Sequence, residues 1–158
     1  MNDEITPKQA LTLLISLLVV ALCGIVYELI IGTISSYLLG NSVYQFSITI
    51  GLFMFSMGVG SYITKHFNNQ FIENFVAVEM LIAIVGGLSG IILFTVFPFA
   101  RIFYELTMYA TIFVIGCLVG MEIPILTSLL ALQSGTKQTV ADVLSFDYLG
   151  ALIGSVAF

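Results

Sequence analysis

The chain has 158 residues, 59% of them hydrophobic and 8% charged, with nine acids, four Lys or Arg and a formal net charge of −5. A soluble domain carries roughly 25% charged residues, so with a third of that supply and a mean hydropathy of +1.14 this chain is excluded as a soluble enzyme domain, and its low polarity excludes disorder. The acidic balance, without a basic patch, argues against nucleic acid as a partner. The composition predicts an all-α integral membrane protein.

A transmembrane helix needs about 20 apolar residues to cross ~30 Å of hydrocarbon. A polar tail over residues 1–9 leads into the first span, 10–34, which is too long for the apolar core of a signal peptide and stays attached. The second span covers 43–64 and ends on Gly58 and Gly60, followed by Lys65 and His66. The third covers 72–97 and the fourth 105–132. The fifth, 140–158, has 19 residues, ~28 Å as a helix, and ends with no flanking polar residue. It reads as truncated, which predicts a longer parent protein. The connections SSYLLGNS, KHFNNQ, PFARIF and QSGTKQT are short and force neighbouring spans to run antiparallel. The expected fold is a bundle of about five transmembrane helices. A cytoplasmic N-terminus would put Lys8, Lys65 and Lys137 inside and only Arg101 outside, and the excess of cations on the inner side favours that orientation.

Cys23 and Cys117 sit inside apolar runs and read as small buried hydrophobes. The single His66 has no Cys or His partner nearby, so no metal constellation is expected. No nucleotide-binding loop, zinc-protease motif or Ser/His/Asp set is present, and the chain itself needs no cofactor.

Helices in lipid associate through small residues that permit close approach. Gly86–Gly90, Gly116–Gly120 and Gly150–Gly154 form GxxxG pairs, and Gly24, Gly32 and Gly58 are further candidates for packing. Four acids fall inside the spans: Glu28, Glu79, Glu122 and Asp147. A carboxylate there costs on the order of 2.5–3.5 kcal/mol unless it is paired, protonated or facing water. Glu28 shares a face with Ala21, Gly24 and Gly32, Glu79 with Ala83, Gly86 and Gly87, and Asp147 with Gly150, Ala151 and Gly154, so these three lie on the small-residue stripe. Glu122 lies off that stripe, but Pro124 cannot donate to the carbonyl of Gly120, which leaves a polar group free beside the carboxyl.

No Lys or Arg inside the spans answers these acids. They are protonated, hydrogen-bonded to Tyr, Ser or Thr, or matched by a cation from outside the chain. Tyr27 and Tyr148, each next to an acid, point to other faces and can serve neighbouring helices. Glu28, Glu79, Glu122, Asp147, Tyr27 and Tyr148 are therefore candidates for binding a cation. The plain alternative is protonated acids that hold helices together.

Three segments carry a family resemblance: CGIVYELIIGTISSYLLGNSVYQFSITIGLFMFSMGVGSYI (Cys23 to Ile63), GCLVGMEIPIL (Gly116 to Leu126) and DVLSFDYLGALIGSVAF (Asp142 to Phe158). Their order and spacing resemble the N-terminal multi-pass membrane domain of bacterial spermidine synthase-like proteins, the polyamine aminopropyltransferases. The resemblance implies a cell (inner) membrane location, further helices and then a cytoplasmic C-terminal catalytic domain. That domain would transfer an aminopropyl group from decarboxylated S-adenosylmethionine to putrescine. Its catalytic residues have no counterpart in this chain. The implied partners are the lipid bilayer, polyamines or other cations, and either a catalytic domain or a second copy of the chain. A rival expectation is a small cation or proton-coupled transporter acting as an oligomer.

Overall fold

A computed structural model describes residues 7–66, 71–98, 101–134 and 136–158. The first six residues of the expected tail, and parts of the second, third and fourth expected connections, lie outside the described residues. Five helices follow one another: α1 (Pro7–Leu39), α2 (Ser42–Ile63, extended by a 3-10 turn over Thr64–His66), α3 (Phe71–Val96), α4 (Arg101–Ser134) and α5 (Thr136–Ala157). All five are long and apolar enough to cross a membrane. The five expected spans fall on these five helices, several of which outrun the expected bounds.

The first helix continues five residues past 34 because Ser35 and Ser36 have tertiary uses. Ser35 is fully buried and its hydroxyl meets Tyr104 Oη at 2.9 Å and Met108 Sδ at 3.0 Å, both on α4. Ser36 donates to Ser42 Oγ across the turn at 2.6 Å. Gly40, at φ 76°, and Asn41, at φ 53°, then take left-handed backbone, which ends α1 in the usual way for a helix followed by glycine. The Asn41 side chain accepts from the Tyr44 amide and caps α2. The fourth helix begins at Arg101 rather than 105, with Arg101 and Glu105 paired one turn apart at 2.9 Å. The fifth begins at 136 and has 22 residues, ~33 Å.

Glycine contacts fix the directions. Gly86 and Gly90 of α3 meet Tyr27 and Ile34 of α1, Gly150 and Gly154 of α5 meet the Leu18–Ile25 stretch of α1, and Gly116 and Gly120 of α4 meet Phe53, Ser56 and Met57 of α2. Since both numbers rise together in each pair, α1, α3 and α5 are parallel, and α2 runs parallel to α4. The helices α1 and α4 touch each other and each of the other three, whereas α2, α3 and α5 make no contact with one another among the described residues.

The outside is apolar on every helix: Ile15, Met54, Phe55, Ile84, Ile91 and Leu152 are among many large hydrophobic side chains left exposed. Buried instead are Glu28, Ser35, Gln45, Thr49, Glu122 and Asp147. A protein in water rarely exposes contiguous apolar surface beyond a few hundred Å²; hydrocarbon imposes no such limit. Many hydroxyls bond to a carbonyl one turn back on their own helix, as Thr49 to Gln45, Ser56 to Leu52 and Thr111 to Thr107 do. That is a way of satisfying a polar side chain without water.

Candidate functional site

The four acids do not form one group. Glu79 lies ~12 Å along α3 from Phe71, Asp147 ~16 Å along α5 from Thr136, and Glu122 ~18 Å back from the end of α4, at 1.5 Å per residue. These three ends share one side of the bundle, so the three acids share a level. Glu28 lies ~32 Å along α1 from Pro7, well beyond them. Glu122 is within electrostatic reach of both Glu79 and Asp147, and Cys23 of α1 is within reach of Glu122. The site is thus built from α3, α4 and α5, with α1 as its fourth wall.

Glu122 is its centre. It is 1% exposed, and neither carboxyl oxygen has a hydrogen-bond partner among the described residues. Oε1 of Glu79 is buried without a partner as well. Of the expected ways to accommodate these acids, hydrogen bonding to Tyr, Ser or Thr is therefore not used by Glu122. Asp147 is 8% exposed and Glu28 6%.

The carbonyl of Gly120, expected to be free beside Glu122, is taken. Ser61 Oγ of α2 donates to it at 2.7 Å. The hydrogen bond that Pro124 cannot donate within α4 is thereby replaced from the neighbouring helix. Ser61→Ala should cost about 1 kcal/mol, the worth of one such bond, read as a lower unfolding temperature in detergent, while Ser61→Thr retains the donor and should keep most of it.

Two candidates are placed elsewhere. Tyr148 is 67% exposed and faces outward, because one residue past Asp147 turns the side chain ~100° around α5. Tyr27 packs its ring on Gly86, serving the neighbouring helix as expected, and lines a groove with Ile30, Ile34, Gly90 and Phe94. Neither is hydrogen-bonded to an acid among the described residues.

Of the packing glycines, Gly24 meets Val119, Gly32 meets the Phe46 ring, and Gly86, Gly116, Gly120, Gly150 and Gly154 are each in close contact with another helix. Gly90 is looser, at 3.7 Å from Ile34 for an added Cβ. Gly58 is a correction: it is exposed, and a Cβ there would meet nothing within 4 Å. The tight position is Gly60, where a Cβ would strike the backbone carbonyl of Cys117. The sequence signal for Gly60 is its spacing from Phe53 and Ser56, both turned to α4.

A second groove runs between α1 and α3, of about 300 Å³ and lined by Thr12, Ile15, Ser16, Val19, Val20 and Glu79. It connects the surface to the edge of the acid group. Both cysteines are free, and no group of three His, Cys, Asp or Glu among the described residues is placed to hold a metal ion.

The polyamine aminopropyltransferase of Leptospira interrogans is 45% identical over 146 residues, covering 92% of this chain and 29% of that protein. Polyamine aminopropyltransferase 2 of Ralstonia nicotianae is 43% identical over 148 residues, 92% of this chain and 29% of its own length. Polyamine aminopropyltransferase 1 of Streptomyces coelicolor is 39% identical over 158 residues, 99% of this chain and 30% of its own. This chain is homologous to an N-terminal portion of the polyamine aminopropyltransferases. It spans about three-tenths of the length of these curated relatives. No protein-family model matches the chain, and no solved structure matches it. The resemblance carried by the Cys23–Ile63, Gly116–Leu126 and Asp142–Phe158 segments therefore extends over almost the whole chain.

Proposed function

We propose that this chain is the membrane-spanning part of a polyamine aminopropyltransferase, crossing the cell (inner) membrane five times with its N-terminus in the cytoplasm. Its work is to hold the enzyme at the bilayer; the transfer of an aminopropyl group from decarboxylated S-adenosylmethionine to putrescine belongs to the rest of the protein. The observation that carries the reading is the inverted distribution of polarity. Large apolar side chains cover all five helices while Glu122, Asp147 and Glu28 are inside, an arrangement suited to a lipid surround. The ends agree. Lys8 is exposed at the start of α1, and Lys65 stands over the Tyr62 ring at 4.0 Å, on the side assigned to the cytoplasm. The exposed Arg101 stands on the other.

The test is extraction of membranes from cells expressing the chain. Alkaline carbonate should leave it in the pellet and mild detergent should release it. The full-length protein should bring aminopropyl transfer activity into the same pellet. Release by carbonate alone would overturn the anchor.

A further inference from the structure

We propose that Glu79, Glu122 and Asp147 hold one linear aliphatic diammonium or polyammonium ion, which enters sideways through the groove between α1 and α3. The inference rests on the membrane reading above. Three observations carry it.

The first is Glu122, which is enclosed and has both oxygens unpartnered. A buried polar group without a partner is a rarity that needs an occupant or an explanation. Among the side chains described, the basic ones, Lys8, Lys65 and Arg101, are all exposed and at helix ends. The second is spacing. Glu79 and Asp147 are near enough to act on Glu122 electrostatically, but the three acids do not converge as a metal-ion cage. A compact ion cannot bridge all three. A flexible chain with a charge at each end, or several along it, can place separate ammonium groups at separate carboxyls. The third is the groove. Glu79 lines it, Thr12 and Ser16 add hydroxyls, and Ile15, Val19 and Val20 make an apolar wall. The Thr12 hydroxyl already donates to the Lys8 carbonyl at 2.9 Å, so it faces a newcomer as an acceptor. Each ammonium brings three donors and no acceptor, and its methylene links need an apolar wall; the groove and the acids supply both. Glu28, at another level, takes no part.

The experiment uses the whole chain in lipid nanodiscs with radiolabelled spermidine as the probe. Spermidine should bind, and 1,4-diaminobutane should displace it. Butylamine, with the same methylenes but one charge, should need about tenfold more, and sodium or magnesium at equal concentration should not displace it. Glu122→Gln and Asp147→Asn should each weaken binding about tenfold or more, as loss of one buried charge partner does; Glu28→Gln should leave it within about twofold. Variants are compared only where size-exclusion profiles match. Ser16→Phe narrows the groove while keeping all three carboxyls, and should slow association.

Displacement by butylamine or sodium as effective as by diaminobutane overturns the proposal, as does equal weakening by Glu28→Gln. Absence of binding to the unaltered chain overturns it too and leaves the acids as proton sites. Unchanged association in Ser16→Phe overturns the sideways entry. Carbonate extraction of the same preparations separates the two readings: a chain that stays in the membrane and binds nothing refutes this inference alone, whereas a chain released by carbonate refutes the anchor.

Discussion

Gly60→Val is expected to destabilise the bundle by about 3 kcal/mol or more, at the upper end of the cost of overpacking. A Cβ at position 60 would collide with the carbonyl of Cys117, and the atoms next nearest to it are also Cys117 backbone. No side chain can turn aside to relieve the contact, so α2 and α4 must separate. Separation would also pull Ser61 from the Gly120 carbonyl and leave the gap above Pro124 unrepaired. Gly58→Ala is the internal control, since that position faces outward with nothing within 4 Å. It should range from no change to a gain of about 1 kcal/mol, the helix-propensity difference between Gly and Ala. Thermal or detergent unfolding of the two variants side by side reads the contrast. Equal effects would mean that α2 does not present its Gly60 face to α4.

Gly150→Val is expected to have a comparable effect on α5. That helix is held mainly by α1, and a Cβ at 150 would strike the Leu18 carbonyl, with the Ala21 methyl at 3.0 Å. One turn on, Gly154 is as tight against Leu22 and Ile25. Lifting α5 would move Asp147 away from Glu122 while leaving α1 to α4 in contact. The expected result is a chain that still purifies in detergent but loses about 2–3 kcal/mol of stability, with trypsin cutting sooner near Lys137. Gly86→Val makes a useful comparison, because the contact there is the Tyr27 ring, a side chain that can move, and its cost should be smaller.

Much of this architecture was legible in the sequence. Apolar run length is enough to find the five helices that are long and apolar enough to cross a membrane, and the short connections give their antiparallel order. The ends were less accessible. Ser35 and Ser36 look like a connection by composition, yet Ser35 is drawn into α1 by Tyr104 and Met108, contacts that no local pattern reveals. The glycines show the same limit. Spacing identifies which residues are small, but Gly58 and Gly60 differ only in which face meets α4, and that depends on how a partner helix docks. The acids are the sharpest instance. Counting along single helices set Glu28, Glu79 and Asp147 together on small-residue faces and put Glu122 apart. Docking instead gathers Glu79, Asp147 and Glu122 at one level and leaves Glu28 on its own. Pro124 predicts a Gly120 carbonyl without its helical donor, but the Ser61 hydroxyl that occupies it comes from 59 residues away.

One labelling experiment tests the proposed five-span topology most directly. Cys23 and Cys117 are replaced by alanine, single cysteines are placed at Lys65 or at Arg101, and intact cells, then opened cells, are treated with a membrane-impermeant maleimide. Both positions are exposed in the fold, so labelling reports sidedness and not burial. Arg101→Cys should react in intact cells, and Lys65→Cys only after the cells are opened. Equal reaction of both positions in intact cells, or the reverse order, would contradict the account.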